Sequence, residues 1–357
     1  MHKEYTKRAV IVEFNNYHGE VLPSLAYLLN QLGYWVNIYT TKSLIKLNPF
    51  VMAKTLDCSM DILPESFSIE DWQKKVGRYD LLVWNSIEPE RHLPIVTELN
   101  TATLAIVHNA HRICGGEYAD YFSSPYRQAI VLSPHLQTYF ANNGLDAEWI
   151  FPSYYSSNPM ESTINSGPVS YCVQGKVEFK RRNYLSMLRA SKKMAQSTSA
   201  KPFMVRYLGK SNSFEGFALR ALVLLYGLRK FSKFSSQVSL YQEYFSELAQ
   251  SDFLCPLIDT DKEIYQSYYE GKASSSIPIA LGNNLIPIVQ REFAELYDIQ
   301  DISVCYEDGG LYEALCEAMN MQDDELLEKK NRISEENKRL LTLSKKNLAS
   351  AISRLSS

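Results

Sequence analysis

The chain has 357 residues, 45% of them hydrophobic and 22% charged, with a formal net charge of −3. That length suits two domains, and that composition is ordinary for a globular protein. The charge gives no general attraction to nucleic acid, no apolar run approaches the ~18 residues of a transmembrane helix, and the six cysteines show no C-x-x-C spacing, so a metal centre or disulfide framework is not expected. The thiols read as buried and reduced. The N-terminus lacks the apolar core of a signal peptide, which points to a cytoplasmic protein.

Ala9–Phe14 is an apolar run expected to form a buried parallel strand. The polar turn Asn15–Gly19 follows. Leu25, Leu28, Leu29 and Leu32 then recur at helical spacing over Pro23–Leu32, and Gly33 ends the helix. Trp35–Tyr39 is the next strand. This β-α-β unit opens a doubly wound sheet, without a G-x-G-x-x-G dinucleotide fingerprint. Further strands are predicted over Tyr79–Trp84, Thr103–Val107, Ala129–Leu132 and Ala147–Phe151. Polar residues recur where these strands end. In an open α/β sheet ligands sit at that edge, so His18, Asn85, His108, Asn109, His111 and Ser133 are expected to line one crevice. His18 lies beside Gly19 and near Glu20, and His is the side chain suited to general-base work near neutral pH. His2, His92 and His135 carry no such signal.

Ser153–Gly167 lacks periodicity and reads as an interdomain linker. A second α/β pattern follows. Val169–Val173 is a strand, Leu185–Met194 a helix, and Phe203–Leu208 a strand ending at Gly209 and Lys210. Lys176, Lys180, Arg181 and Arg182 cluster at the first of these strand-to-helix turns. Cations there oppose the helix dipole, a placement suited to serving an anion. A helical stretch is expected over Phe214–Phe234. Strands are expected over Val238–Tyr241 and Phe253–Ile258, with a helical turn over Asp261–Tyr269. Ser274, Ser275 and Ser276 then precede a short apolar helix, a Gly-Asn-Asn turn and the buried strand Leu285–Val289. A serine-capped helix start offers N–H groups, hydroxyls and a positive dipole end to a diphosphate. Ile302–Tyr306 is a strand and Leu311–Met319 a helix. Met321–Ser353 is a charged, mostly helical tail whose cations after Glu336 stand without acids. Its plain interpretation is a helix packed along the first domain; the sharper one is weak attachment to anionic lipid.

Four segments resemble nucleotide-sugar glycosyltransferases of the GT-B fold. Asn15–Pro23 is similar to a loop that approaches the acceptor and in some inverting members presents a histidine base. Val107–His111 is similar to a strand end common in bacterial members. Gln174–Lys176 with Lys180–Arg182 resembles the basic loop that neutralises the donor diphosphate. Ala273–Pro287 resembles the donor-binding segment and is the most specific of the four. The resemblance implies an α/β chain of two Rossmann-like doubly wound domains facing across a cleft. They would be an acceptor domain at 1–152, a linker at 153–167, a nucleotide-sugar domain at 168–330, and a final helix at 331–357 that packs back on the first domain.

The implied function is transfer of a sugar, a hexose by analogy, from a UDP- or GDP-type donor to a hydroxyl of a glycan or lipid-linked acceptor in surface polysaccharide or lipopolysaccharide assembly. No cofactor and no metal is implied. His18 and His108 would be catalytic, and Lys176, Lys180, Arg181, Arg182 and Ser274–Ser276 would hold the diphosphate. Asn16, Gly19, Asn85, Asn109 and His111 would face the acceptor. The sequence departs from the family at the Glu-x7-Glu pair of many retaining members. Ala280 stands at the position of its second Glu, which leaves the stereochemical outcome open. Glu292 and Glu295, with Gly209 and Lys210, are the candidates for the donor ribose or sugar. The alternative is a catalytically silent GT-B-like subunit that stabilises a partner enzyme. A two-domain periplasmic receptor is opposed by the lack of a signal peptide.

Overall fold

A computed structural model describes residues 5–63, 69–87, 101–114, 118, 120–157, 167–197, 201–235, 240–259 and 263–355. His2, His92 and most of the expected linker lie outside them. The chain divides into two compact units. One comprises residues 1–158, 270–273 and 338–357; the other comprises residues 159–269 and 274–337.

Among the described residues the first unit holds seven parallel strands: β1 (Lys7–Glu13), β2 (Tyr34–Thr40), β3 (Cys58–Ile62), β4 (Leu81–Trp84), β5 (Thr103–Val107), β6 (Arg127–Val131) and β7 (Ala147–Trp149). Their spatial order is β3-β2-β1-β4-β5-β6-β7. Helices α1 (Leu22–Gln31), α2 (Lys42–Leu47), α3 (Ile69–Val76), α4 (Ala110–Cys114) and α5 (Pro134–Asn142) connect them. Ala9 to Glu13 are all buried, as expected of a strand covered on both faces. Pro23 sits in the first turn of α1, where its missing N–H costs nothing, and Gly33 at φ +86° follows the end of that helix. Phe14 stacks on Trp84 at 5.4 Å, and Trp72 completes the aromatic core.

Among the described residues the second unit holds six parallel strands: β8 (Val169–Gln174), β9 (Phe203–Leu208), β10 (Ser232–Phe234), β11 (Phe253–Leu254), β12 (Ile286–Gln290) and β13 (Val304–Tyr306), in the order β10-β9-β8-β11-β12-β13. Its helices are α6 (Tyr184–Gln196), α7 (Phe214–Leu225), α8 (Tyr241–Ala249), α9 (Ser267–Glu270), α10 (Ser276–Gly282), α11 (Arg291–Leu296) and α12 (Leu311–Asn320). Each sheet runs outward from its first strand in both directions, the doubly wound Rossmann order.

Three expectations are corrected here. The helix expected over Phe214–Phe234 stops at Leu225, because Gly227 takes φ +73° and the chain turns through a 3-10 helix into β10. Tyr241 opens α8 rather than closing a strand; 238–239 lie outside the described residues. The strand expected over Phe253–Ile258 pairs only at Phe253 and Leu254. Pro256 has no N–H for a ladder, and Leu257 takes φ +56°. All six cysteines are free; Cys172 and Cys255 are buried and the other four half-buried.

The tail forms α13 (Asp323–Arg354). Its apolar side is covered: Ile333, Leu340, Leu348 and Ala351 are buried. In the first unit Ser344 Oγ accepts from Phe151 N at 2.8 Å, and Arg354 pairs with Asp146 and Glu148. In the second, Lys330 is buried 3.8 Å from Asp252. Among the described residues no helix is long and apolar enough to cross a membrane.

Candidate active site

In the first unit β1, β4 and β5 point the same way, so the residues at and just beyond their ends share one edge. Glu13, the last residue of β1, is fully buried. Its Oε1 accepts from Asn15 N at 2.6 Å, and its Oε2 accepts from Asn85 Nδ2 at 2.6 Å and Ser86 Oγ at 2.7 Å. Burial pushes the carboxyl up to about 7, although the bonds from Ser86, Asn15 and Asn85 and the charge of His108 pull the other way. Asn85 Nδ2 also donates to His18 O at 3.2 Å. His108 Nε2 lies 2.7 Å from Asn85 O. A carbonyl only accepts, so Nε2 carries the proton and the neutral ring has Nδ1 as its acceptor nitrogen.

The His18 ring stacks on that of His108, with centroids 3.7 Å apart at 28°. His18 takes the left-handed conformation, φ +67°, which turns the chain into a 3-10 helix at Gly19–Val21. Its Nδ1 is 3.9 Å from Glu20 Oε1, too far for a hydrogen bond.

The structure thus joins His18, Asn85 and His108 and adds Glu13 and Ser86. A carboxylate inside an otherwise apolar strand run is the sequence signal that could have found Glu13. Gly19 is buried, and Asn16 is exposed and accepts from Thr41 Oγ1 at 2.5 Å. Asn109 and His111 do other work. Asn109 bridges to Lys272, and Ala110 N donates to Gly271 O at 2.6 Å. The His111 ring packs on Gly271, where a Cβ would come within 2.7 Å of Cδ2, and its Nδ1 shares a proton with Tyr139 OH at 2.7 Å. Both residues pin the segment 270–273.

In the second unit the loops after β8 and β9 touch backbone to backbone. Gly175 has φ +93° and Gly209 φ +139°, and a Cβ on Gly209 would lie 2.4 Å from Gly175 O. Val177 N donates to Lys210 O at 3.2 Å. Lys176 and Lys210, both exposed, therefore stand on adjoining loops. The Arg182 guanidinium lies over Gly175, 2.9 Å from where a Cβ would be. Lys176 Nζ and Arg181 Nε both pair with Glu178, the former at 2.6 Å. Burial would raise the Glu178 carboxyl, but the Lys176 hydrogen bond and the charges of Arg181, Lys176 and Lys180 hold it below the usual range. Two of the four clustered cations thus meet an internal anion that the charge pattern alone did not reveal. Lys180 is exposed.

The serines differ from a simple cap. Ser275 precedes α10 with no side-chain cap bond. Ser274 Oγ instead accepts from Ser276 N at 3.3 Å, while Ser274 N donates to Tyr297 OH at 3.0 Å. Gln174, at the end of β8, donates to Ser276 Oγ at 2.9 Å and to Ser275 Oγ at 3.3 Å. Ser276 is fully buried, whereas Ser275 is exposed. Of the three hydroxyls, Ser275's is on the surface beside the β8 loop.

No protein-family model and no curated protein matches the chain. Solved structures match it over nearly its whole length. A glycosyltransferase from Rickettsia africae ESF-5 superimposes with a TM-score of 0.66 at 13% identity, covering 98% of this chain and 99% of that one. Anabaena Alr3699/HepE, solved with UDP and glucose, gives 0.64 at 11% identity, covering 97% and 99%. The lipopolysaccharide outer core galactosyltransferase WaaB in its apo form gives 0.53 at 10%, covering 97% and 99%. The chain has the GT-B fold.

Within this GT-B fold the position named by the Glu-x7-Glu spacing, Ala280, is fully buried in α10. Glu292 and Glu295 are exposed on α11. Asp259, the residue after the strand expected over Phe253–Ile258, is buried and accepts from Asn183 Nδ2 at 2.5 Å and Tyr306 OH at 3.1 Å. With Ser186, Arg189, Gln290 and Asp308 it lines a cleft of about 350 Å³ beyond the ends of β12 and β13. Among the described residues no group of three His, Cys, Asp or Glu side chains is placed to hold a metal ion.

Proposed function

We propose that this chain is a glycosyltransferase that moves a sugar from a nucleoside-diphosphate sugar to a hydroxyl of a glycan or lipid-linked acceptor. The observation that carries this is the match, end to end, to a solved glycosyltransferase and to a structure that holds UDP and glucose. Each unit also gathers the chemistry its half of the reaction needs. Lys176, Lys180, Arg182 and Lys210, with Ser275, would take the diphosphate and stabilise the charge that builds on it as the sugar leaves. Those cations can do without a metal ion what a metal would otherwise do. Asp259 and Asp308 join Glu292 and Glu295 as carboxylates able to accept from a ribose diol.

In the first unit His18 and His108 would act on the acceptor hydroxyl. In an inverting reaction His18 takes its proton as the sugar transfers. In a retaining one the two rings position the sugar. Glu13 is too deeply buried to reach substrate; it fixes Asn85, and through Asn85 both histidines. Surface polysaccharide or lipopolysaccharide assembly is the setting we favour, from the likeness to WaaB. Thermal-shift measurements with UDP-, GDP-, dTDP- and CMP-sugars test the donor half. Stabilisation by one nucleoside-diphosphate sugar is expected, and no response to any of them would count against the proposal.

A further inference from the structure

Helix α7 (Phe214–Leu225) is apolar on both sides. Gly216, Leu219 and Val223 face the core and are buried. On the opposite side Phe214 is 88% exposed, Phe217 63%, Leu224 59% and Leu225 79%. At 100° per residue these four, with Ala221 between them, fall within an arc of about 100°. A helix apolar all round is normally buried or in lipid. Twelve residues are too few to span a bilayer, which needs ~20. The outer face therefore calls for a partner that takes an apolar stripe lying flat.

The surrounding charge says which partner. From Lys210 to Lys233 the chain carries five cations (Lys210, Arg220, Arg229, Lys230 and Lys233) and one acid, Glu215. That local net of +4 stands in a chain of net −3. Glu215 is turned inward, where its Oε1 accepts from Phe179 N at 2.9 Å. Lys233 is paired with Glu247, but Arg229 and Lys230, in the turn that follows α7, are exposed.

We infer that the outer face of α7 docks on an anionic membrane surface, with Phe214, Phe217, Leu224 and Leu225 entering the headgroup boundary and Arg229 and Lys230 meeting lipid phosphates. This moves the membrane contact from the tail, whose apolar side is covered, to the second unit. It does not depend on the glycosyl-transfer proposal.

The test is co-sedimentation of the full chain with phosphatidylcholine vesicles, alone or mixed with phosphatidylglycerol, at low and high salt. Binding to the mixed vesicles that weakens with salt is expected. The double variant F214D/L225D should lower partitioning by about tenfold or more with an unchanged melting temperature, since both side chains are exposed. R229E/K230E should remove the preference for the anionic vesicles, and K345E/K346E in the tail should leave binding as it was. Absence of binding by the parent chain, or equal binding by F214D/L225D, overturns the inference. So does a dimer in sedimentation velocity that F214D/L225D splits, which would assign the face to a second copy.

Discussion

The imidazole of His108 lies face to face with that of His18 at 3.7 Å while its Nε2 is held by the carbonyl of Asn85. Neither ring can turn without displacing the other. Asn85 in turn is bonded to Glu13 and to the backbone of His18. Three strand ends and one loop therefore behave as a single assembly.

His18 can be tested without disturbing that backbone. Its φ of +67° suits Asn better than Ala, and Ala there should cost about 1 kcal/mol of stability. His18→Asn should keep its melting temperature and donor affinity. Turnover should fall by ~10²-fold or more if His18 is the base. A smaller loss with a raised acceptor KM indicates positioning. Full activity removes His18 from the chemistry and leaves His108 to test.

Glu13 should make stability depend on pH. Its carboxyl is raised from 4.5 to about 7, so the folded state holds the proton more tightly than the unfolded one. The resulting stabilisation is fully present below pH 4.5 and is lost as pH rises through about 7. Its size is on the order of 3 kcal/mol. Urea unfolding at about pH 5 and about pH 8 should show this loss in the parent and a flatter profile in Glu13→Gln. Equal slopes would contradict it.

The basic loop should show unequal contributions. Lys180→Ala should weaken UDP binding by roughly 1–3 kcal/mol in calorimetry. Lys176→Ala and Arg181→Ala should each cost less, because Glu178 already pairs with both side chains. An effect of either as large as that of Lys180 would show that its pair with Glu178 opens for the ligand.

Gly209 should tolerate no side chain. A Cβ there meets a backbone oxygen at 2.4 Å, whereas one on Gly33 meets nothing within 4 Å. Gly209→Ala should lose about 2 kcal/mol or more and displace the β8 loop. Gly33→Ala should lose only the conformational term, about 1 kcal/mol. Urea midpoints compare the two.

The strands β1, β5, β8 and β12 were legible because continuous apolar runs are what two-sided burial requires. The elements the sequence concealed are those whose pattern burial does not write. β3 is half exposed and polar, and β10 was absorbed into a helix because only Gly227 marks the break. The site divides in the same way. His18, Asn85 and His108 could be found because polar residues following apolar strands stand out. Glu13 could not be separated from its strand by periodicity, and Glu178 was hidden among the cations it neutralises. Asp259 becomes recognisable only when Asn183 and Tyr306, distant in sequence, close on it.

The most direct test of glycosyl transfer is to incubate the full chain with UDP-, GDP-, dTDP- and CMP-sugars and follow release of the nucleotide by mass spectrometry, with Lys180→Ala in parallel. Slow loss of sugar from one nucleoside-diphosphate donor, reduced in Lys180→Ala, is the expected result. If no donor is consumed and none binds, the chain is not a glycosyltransferase despite its GT-B fold.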